Sequence, residues 1–287
     1  MKMSMEYILE SDAIRNVVCE HNLSANLFTG PDPSYHNHDA YEIYFFIRGN
    51  TRLYVEQRCF ELTSGDCVVI RPGQMHRCIV MDTAPYERIS LYLAPETLRM
   101  LSSGSTDFQQ YFDHKICQEK GGTIHVSAYE VRQYIRLADR YLETLASDGF
   151  GSDLKRIYGL TELLLFLCQL FQHANKWEHD DIMPPLVSNT MQYVKEHMTE
   201  GISLASMSRD LNYSSNYISL QFKRHTGLSL REYILGQKIK RAKELLISGK
   251  SVSDAGEGAG FSDYANFIRS FKKLVGLPPG QYKKNLG

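Results

Sequence analysis

Hydrophobic and polar positions alternate in short bursts across residues 15–93. Tyr41–Arg48 is a run of aromatic and β-branched residues closed by Gly49-Asn50, and residues 52–56 alternate. Compact apolar stretches at 67–70, 77–81 and 88–93 follow at similar intervals. Short strands about ten residues apart, with no helical period between them, predict a small β-barrel or sandwich. The period becomes helical over residues 130–176. Val131, Tyr134, Ile135, Ala138, Leu142 and Leu145 fall on one helical face. After residues 149–152, with Ser152 as candidate N-cap, a second helix is expected from about residue 153 to 175. It is apolar nearly all round (Leu160, Leu163, Leu164, Leu165, Phe166, Leu167, Leu170, Phe171), so it needs partners on more than one side. The barrel would supply one; a second copy of the chain would supply the other.

Residues 179–185 are polar, end in Pro184-Pro185 and read as a linker. Beyond them every signal is a helix with short turns. Ser203 caps a helix over Leu204–Leu211, Asn212-Tyr213-Ser214 turns, and Ser214 or Ser215 caps a second helix to about His225. Ile218 and Phe222 anchor that helix, Thr226-Gly227 ends it, and the arrangement is a helix-turn-helix. A helix over residues 230–248 follows, and then the layout recurs. Residues 252–259 form a short helix, residues 260–263 a turn, and Tyr264–Val275 a second helix anchored by Phe267 and Phe271. A joining helix of about 19 residues is ~28 Å long. Two second helices so spaced suit successive major grooves ~34 Å apart on one face of DNA.

Charge sharpens this picture. The 287 residues carry 32 basic and 33 acidic side chains, a net of −1, but that is an average over unlike parts. Residues 184–287 hold 15 basic and 8 acidic, a net of +7, which leaves 17 and 25, a net of −8, in residues 1–183. A basic C-terminal third, with clusters Lys223-Arg224, Lys238/Lys240/Arg241 and Lys272-Lys273, points to a polyanion. A hydrophobic content of 43% excludes a disordered chain. No apolar run approaches the ~18 residues of a membrane span. Residues 1–12 lack a cationic-then-apolar leader. Six cysteines without a CxxC pair fit reduced thiols in a cytoplasmic protein.

At these residues the chain resembles AraC/XylS-type transcription regulators. Leu204, Leu211, Ser214, Tyr217, Ile218, Ser219, Phe222, Lys223, Thr226 and Gly227 match the first motif of that family. Tyr233, Ile234, Lys238, Ile239, Ala242, Leu245 and Leu246 match its linker helix. Gly260, Phe261, Phe267, Phe271, Lys272, Gly276, Pro278 and Tyr282 match its second motif and C-terminal signature. The resemblance covers about residues 185–284 and implies sequence-specific binding of double-stranded DNA, usually with activation through RNA polymerase. Carried over by position, base-reading residues fall on Asn216, Ser219 and Leu220, then Tyr264, Ala265, Asn266 and Arg269. Lys223, Arg224, Lys272 and Lys273 join them at the DNA surface. Arg269 is the best candidate for a guanine, whose two acceptors suit a guanidinium fork. Leu220 can meet only a thymine methyl. The Ile-Ala pair usual in the first helix of the second motif is Ala255-Gly256 here, followed by Gly258. Each interior glycine costs roughly 1 kcal/mol against alanine, so this helix is expected to be weak. Lys238 and Lys283 stand where the family usually has arginine.

The β-region carries its own chemistry. In an extended segment His36, His38 and Glu42 share one face, and a later strand offers His76. Three imidazoles and a carboxylate can hold a divalent transition metal. Gly30, His36, His38, Glu42 and Gly49 are spaced similarly to the first cupin motif, and Gly65, Gly73 and His76 partly match the second. Cupin barrels are also the common sensor of AraC-type regulators, which implies an organic effector, often a sugar. In that case His36, His38, Glu42 and His76 are polar handles, with Tyr44 and Tyr54 for stacking or hydrogen bonds. The competing class is a metal-dependent cupin enzyme or metal sensor fused to a DNA-binding domain.

The expected architecture is therefore a multidomain α+β chain. A cupin-like β-barrel effector domain occupies residues 1–128, a helical dimerisation pair 129–178, a linker 179–185, and an all-α double helix-turn-helix domain 186–287. The expected function is a cytoplasmic, homodimeric, effector-controlled transcription regulator, an activator by resemblance and not an enzyme.

Overall fold

A computed structural model describes residues 3–11, 14–24, 35–119, 121–176 and 180–284. Gly30 of the first cupin motif and residue 179 of the linker lie outside the described residues. The chain divides into two compact units, Met1–Ile182 and Met183–Gly287.

In the first unit the strands are β1 (Met3–Ser11), β2 (Ile14–Ser24), β3 (Tyr41–Arg48), β4 (Thr51–Val55), β5 (Arg58–Leu62), β6 (Asp66–Ile70), β7 (His76–Val80), β8 (Tyr86–Leu93), β9 (Thr123–His125) and β10 (Asn175–Lys176). They form two antiparallel sheets, ordered β1-β2-β8-β3-β6-β9-β10 and β5-β4-β7, which do not close into one hydrogen-bonded cylinder. Strand parity sorts the side chains into two cores. Tyr41, Ile43, Phe45 and Ile47 of β3, with Ile89, Leu91 and Leu93 of β8, pack beneath helices. Tyr44, Phe46, Val68, Ile70 and Tyr86 meet Leu53, Phe60 and Leu62 of the smaller sheet in the space between the sheets.

The helices of this unit are α1 (Pro95–Leu101), α2 (Phe108–Gln110), which runs into a π-helical segment Tyr111–Glu119, α3 (Ala128–Leu145) and α4 (Ser152–His173). A capping box between Ser127 and Glu130 starts α3. The Tyr134 ring of α3 stacks on Phe45, centroids 4.1 Å apart, and fixes the helix to the sheet. Two expectations need correction. Gly151, at φ 78°, caps α4, and Ser152 is its first helical residue. The helix also stops at His173, because residues 175–176 leave it to pair with β9. Leu160, Leu163, Leu164, Leu167, Leu170 and Phe171 are buried in the unit, whereas Leu154, Tyr158 and Leu165 are exposed. Among the described residues no helix is long and apolar enough to cross a membrane, and all six cysteines are free thiols.

The second unit is helical: α5 (Pro185–Glu196), α6 (Leu204–Leu211), α7 (Ser215–Thr226), α8 (Leu230–Ile247), α9 (Val252–Gly258), α10 (Tyr264–Val275) and α11 (Pro279–Lys284). Ser203, Ser214, Ser229, Ser251 and Asp263 each accept a backbone N–H at a helix start, so every helix from α6 to α10 is capped by its own side chain.

Candidate functional site

Two places concentrate chemistry, one in each unit. In the first, the segment before β3 is tied to the start of β7 by paired backbone bonds, His36 N–H to His76 O at 3.0 Å and His76 N–H to His36 O at 2.9 Å. The chain bends at residues 39–40, so His38 folds back toward Glu42 on β3. His38 Nε2 lies 3.2 Å and His76 Nε2 3.0 Å from the same carboxylate oxygen, Glu42 Oε2. The three donor atoms fall within 4.8 Å of one another. Glu42 and His76 are buried. Burial pushes the Glu42 carboxyl up, but the imidazoles of His38 and His76 and the charge of Arg88 outweigh it and hold the group well below the usual carboxylate range.

The same interior continues along β8. Tyr92 lies beside His38, with ring centroids 5.3 Å apart, and the Arg88 guanidinium stands 5.2 Å from the Tyr44 ring centroid. The Tyr44 hydroxyl lies 2.5 Å from that of Tyr86 and 3.1 Å from Cys78 Sγ. Arg88 Nε and Ser90 Oγ are buried without a hydrogen-bond partner. Of the predicted residues, His38, Glu42, His76 and Tyr44 thus come together. His36 is exposed and outside the convergent trio, although its ring lies 4.3 Å from that of His76. Tyr54 is a correction. Its neighbours Leu53 and Val55 point between the sheets, so parity turns Tyr54 to the other face, where it meets Tyr35 edge-on at 6.1 Å. Arg88, Ser90 and Tyr92 are the residues the sequence reading missed. Their signal was their alternation with Ile89, Leu91 and Leu93, which marks a second face without saying that it is enclosed.

In the second unit α6 and α7 meet across a turn set by Asn212, at φ 58°. Ile218 and Phe222 are buried, as are Phe267 and Phe271 of α10. The opposite faces are open. Asn216, Leu220, Lys223 and Arg224 of α7 are exposed, and Ser219 is half-buried. Tyr264, Ala265, Asn266, Arg269, Lys272 and Lys273 of α10 are all exposed. Residues 265, 269, 272 and 273 recur at helical spacing, a continuous strip away from the aromatic anchors. One basic cluster needs revision. Lys238 points into the unit, where Nζ donates to the carbonyl of Gly260 and stands 5.5 Å from the Phe261 ring centroid. Burial lowers its pKa. Lys238 thus ties α8 to the turn of the second motif instead of adding to the basic surface.

Short α9 forms despite its glycines, and packing explains why. A Cβ on Gly256 would stand 2.6 Å from the Phe267 ring, and one on Gly258 would stand 2.9 Å from Leu245. The glycines let α9 sit against α10 and α8 more closely than side chains would permit.

Two family models match the chain, an AraC-like ligand binding domain over residues 24–164 and a helix-turn-helix domain over residues 207–285. The Msm operon regulatory protein of Streptococcus mutans is 23% identical over 86% of this chain and 85% of its own length. The melibiose operon regulatory protein of Escherichia coli K12 is 22% identical over 88% of this chain and 84% of its own. Among solved structures, the C-terminal domain of AraT, a response regulator from Geobacillus stearothermophilus, is similar at 28% identity over 37% of this chain and 88% of that one, with a TM-score of 0.35.

Proposed function

The chain belongs to the AraC family of DNA-binding transcription regulators, with a ligand-binding domain before its helix-turn-helix domain, and from that premise we propose that a small polar effector of the sugar class binds between its two sheets. The observation that carries this is the unpaired Arg88 Nε beside Ser90 Oγ in that interior. A buried donor without an acceptor costs about 1–3 kcal/mol. A ligand that supplies the acceptor removes that cost, and sugar hydroxyls offer both acceptors and donors to Arg88, Tyr92 and Glu42. Two of the relatives carry operon names, one of them that of a sugar.

Arg88→Met is the test. Ligand-free, the variant should be as stable as the wild type or up to about 2 kcal/mol more stable, because a buried N–H without an acceptor is gone. Its DNA affinity should no longer respond to any member of a panel of monosaccharides and galactosides to which the wild type responds. A ligand-free melting temperature several degrees lower, with no sugar response in either protein, would make Arg88 a structural residue and remove the effector site from this interior.

The regulator acts in the cytoplasm as a homodimer that presents two DNA-binding units and recruits RNA polymerase, with no catalytic step of its own. The exposed stripe Leu154, Tyr158 and Leu165 on α4 supports the dimer, since its spacing of four and seven residues keeps it on one face. Leu165→Glu should halve the mass measured by light scattering at micromolar concentration. A dimer that survives the charge would place the contact elsewhere. Asn216, Ser219, Leu220, Tyr264, Ala265, Asn266 and Arg269 read bases, and Lys223, Arg224, Lys272 and Lys273 meet phosphates.

A further inference from the structure

We infer that the Phe150 side chain of one chain seats in a groove of a second copy, between that copy's α4 and its π-helical segment. This seating rests on the dimer through α4 proposed above, and adds the direction of the paired helices and the occupant of the groove. Phe150 stands on the turn before α4, 108% exposed, more fully presented than any other large apolar side chain among the described residues. Gly149 at φ 111° and Gly151 at φ 78° flank it, so a left-handed backbone on both sides lifts the ring clear of its own chain. A ring so presented gains stability only by entering a pocket. The same helix carries one near its other end. A groove of about 680 Å³ is lined by Phe108, Tyr111, Leu165, Cys168, Gln169 and Gln172. The Tyr111 hydroxyl donates to the Cys168 carbonyl at 3.1 Å and ties the π-helical segment to α4 there. Apolar Phe108 and Leu165 suit a phenyl ring.

Knob and groove therefore belong to one surface, as a twofold interface requires. Leu154, Tyr158, Thr161, Leu165, Cys168 and Gln172 recur along α4 at alternating intervals of four and three, the spacing of a helix–helix seam. Lys155 and Glu162, seven residues apart, lie on one flank of it. Lys155 is exposed and forms no ion pair among the described residues. Glu162 is held by Arg140 with 33% of its side chain still open. In an antiparallel pair centred between Tyr158 and Gly159, each Lys155 faces the Glu162 of the other copy. That centre also brings Phe150 opposite residue 167, between groove-lining Leu165 and Gln169. A parallel pair would set Lys155 against Lys155 and ring against ring, and would leave both grooves open. Charge and shape, on different residues, thus select the same axis.

A disulfide tests the seating. Positions 150 and 169 are separated by most of α4, ~25 Å along the helix axis, so cysteines placed there can join only between copies. In a full-length Cys168→Ser background, Phe150→Cys/Gln169→Cys oxidised with copper–phenanthroline should run as a covalent dimer on a non-reducing gel. Phe150→Cys alone and Gln169→Cys alone should not. Phe150→Ser, without oxidant, should raise the dimer dissociation constant about tenfold or more in sedimentation, with the circular dichroism spectrum unchanged. A wild-type dimer whose 150/169 pair does not link, or one that is equally tight in Phe150→Ser, overturns the seating and leaves the α4 dimer standing. A link as strong in Phe150→Cys alone would mean a parallel pair and also overturn it. A wild type that is monomeric at micromolar concentration removes both the seating and the dimer.

Discussion

Gly260→Ala should destabilise the C-terminal unit by about 3 kcal/mol or more, a large share of the 5–15 kcal/mol that holds a typical domain folded. The backbone at Gly260 has φ +82°, a region that costs an L-residue roughly 1–2 kcal/mol. A Cβ there would stand 2.1 Å from the carbonyl oxygen of Met198, which is backbone and cannot swing aside. The same turn presents its own carbonyl to Lys238, so a shift to relieve the clash also breaks the tie between α8 and the second motif. Gly256→Ala should be milder. Its obstacle is the Phe267 ring at 2.6 Å, which can tilt, and alanine recovers up to about 1 kcal/mol of helix propensity, for a net loss of ~1–2 kcal/mol. Gly236→Ala in α8 meets nothing within 4 Å and should stabilise by up to about 1 kcal/mol. Urea unfolding of the full chain, followed on the C-terminal transition, should order the four proteins Gly236→Ala, wild type, Gly256→Ala, Gly260→Ala from most to least stable. A Gly256→Ala protein as stable as the wild type would remove the close approach of α9 to Phe267.

That glycine series also marks where local sequence rules stop. Helix propensity identifies α9 as weak because it counts only the backbone of residues 252–258; the ring that requires Gly256 arrives from a helix beginning at residue 264. The two helix-turn-helix motifs were legible because their determinants are local: serine caps, glycine stops, and apolar anchors four residues apart on one face. The β-unit was legible only in outline. Parity along a continuous strand would put His36, His38 and Glu42 on one face, but the segment is not continuous: at the bend of residues 39–40 His38 folds back to Glu42, while His36 stays exposed. Tyr54 and Arg88 show the complementary failure. Alternation says that neighbours face opposite ways, yet which face is enclosed depends on the partner sheet. Tyr54 is therefore buried on the other face of the smaller sheet, against Tyr35, and Arg88, whose charge suggests solvent, turned inward.

Arg269→Ala should weaken binding to the cognate operator by about 5- to 150-fold, equivalent to ~1–3 kcal/mol, while leaving affinity for random DNA nearly unchanged. The Asp263 side chain caps α10 and Phe267 and Phe271 lock its inner face, so the direction of Arg269 is set by the core. Asn266 and Lys273, three residues before and four after, share its exposed strip. A planar fork held on a rigid helix can meet both acceptors of one guanine. Arg269→Lys should therefore restore little of the affinity, since a point charge keeps attraction to the duplex but loses bidentate geometry. Lys272 and Lys273 supply the contrast within the same helix. If both meet phosphates, the Lys272→Ala/Lys273→Ala double variant should weaken cognate and random DNA alike and reduce the slope of log K against log salt by about 1.8, near 0.9 per phosphate. Arg269→Ala should leave that slope unchanged. Fluorescence anisotropy across a salt series, on operator and scrambled duplexes, measures both quantities. Equal loss on the two duplexes for Arg269→Ala would demote it to a phosphate contact and move base reading in the second motif to Tyr264, Ala265 and Asn266 at the start of α10.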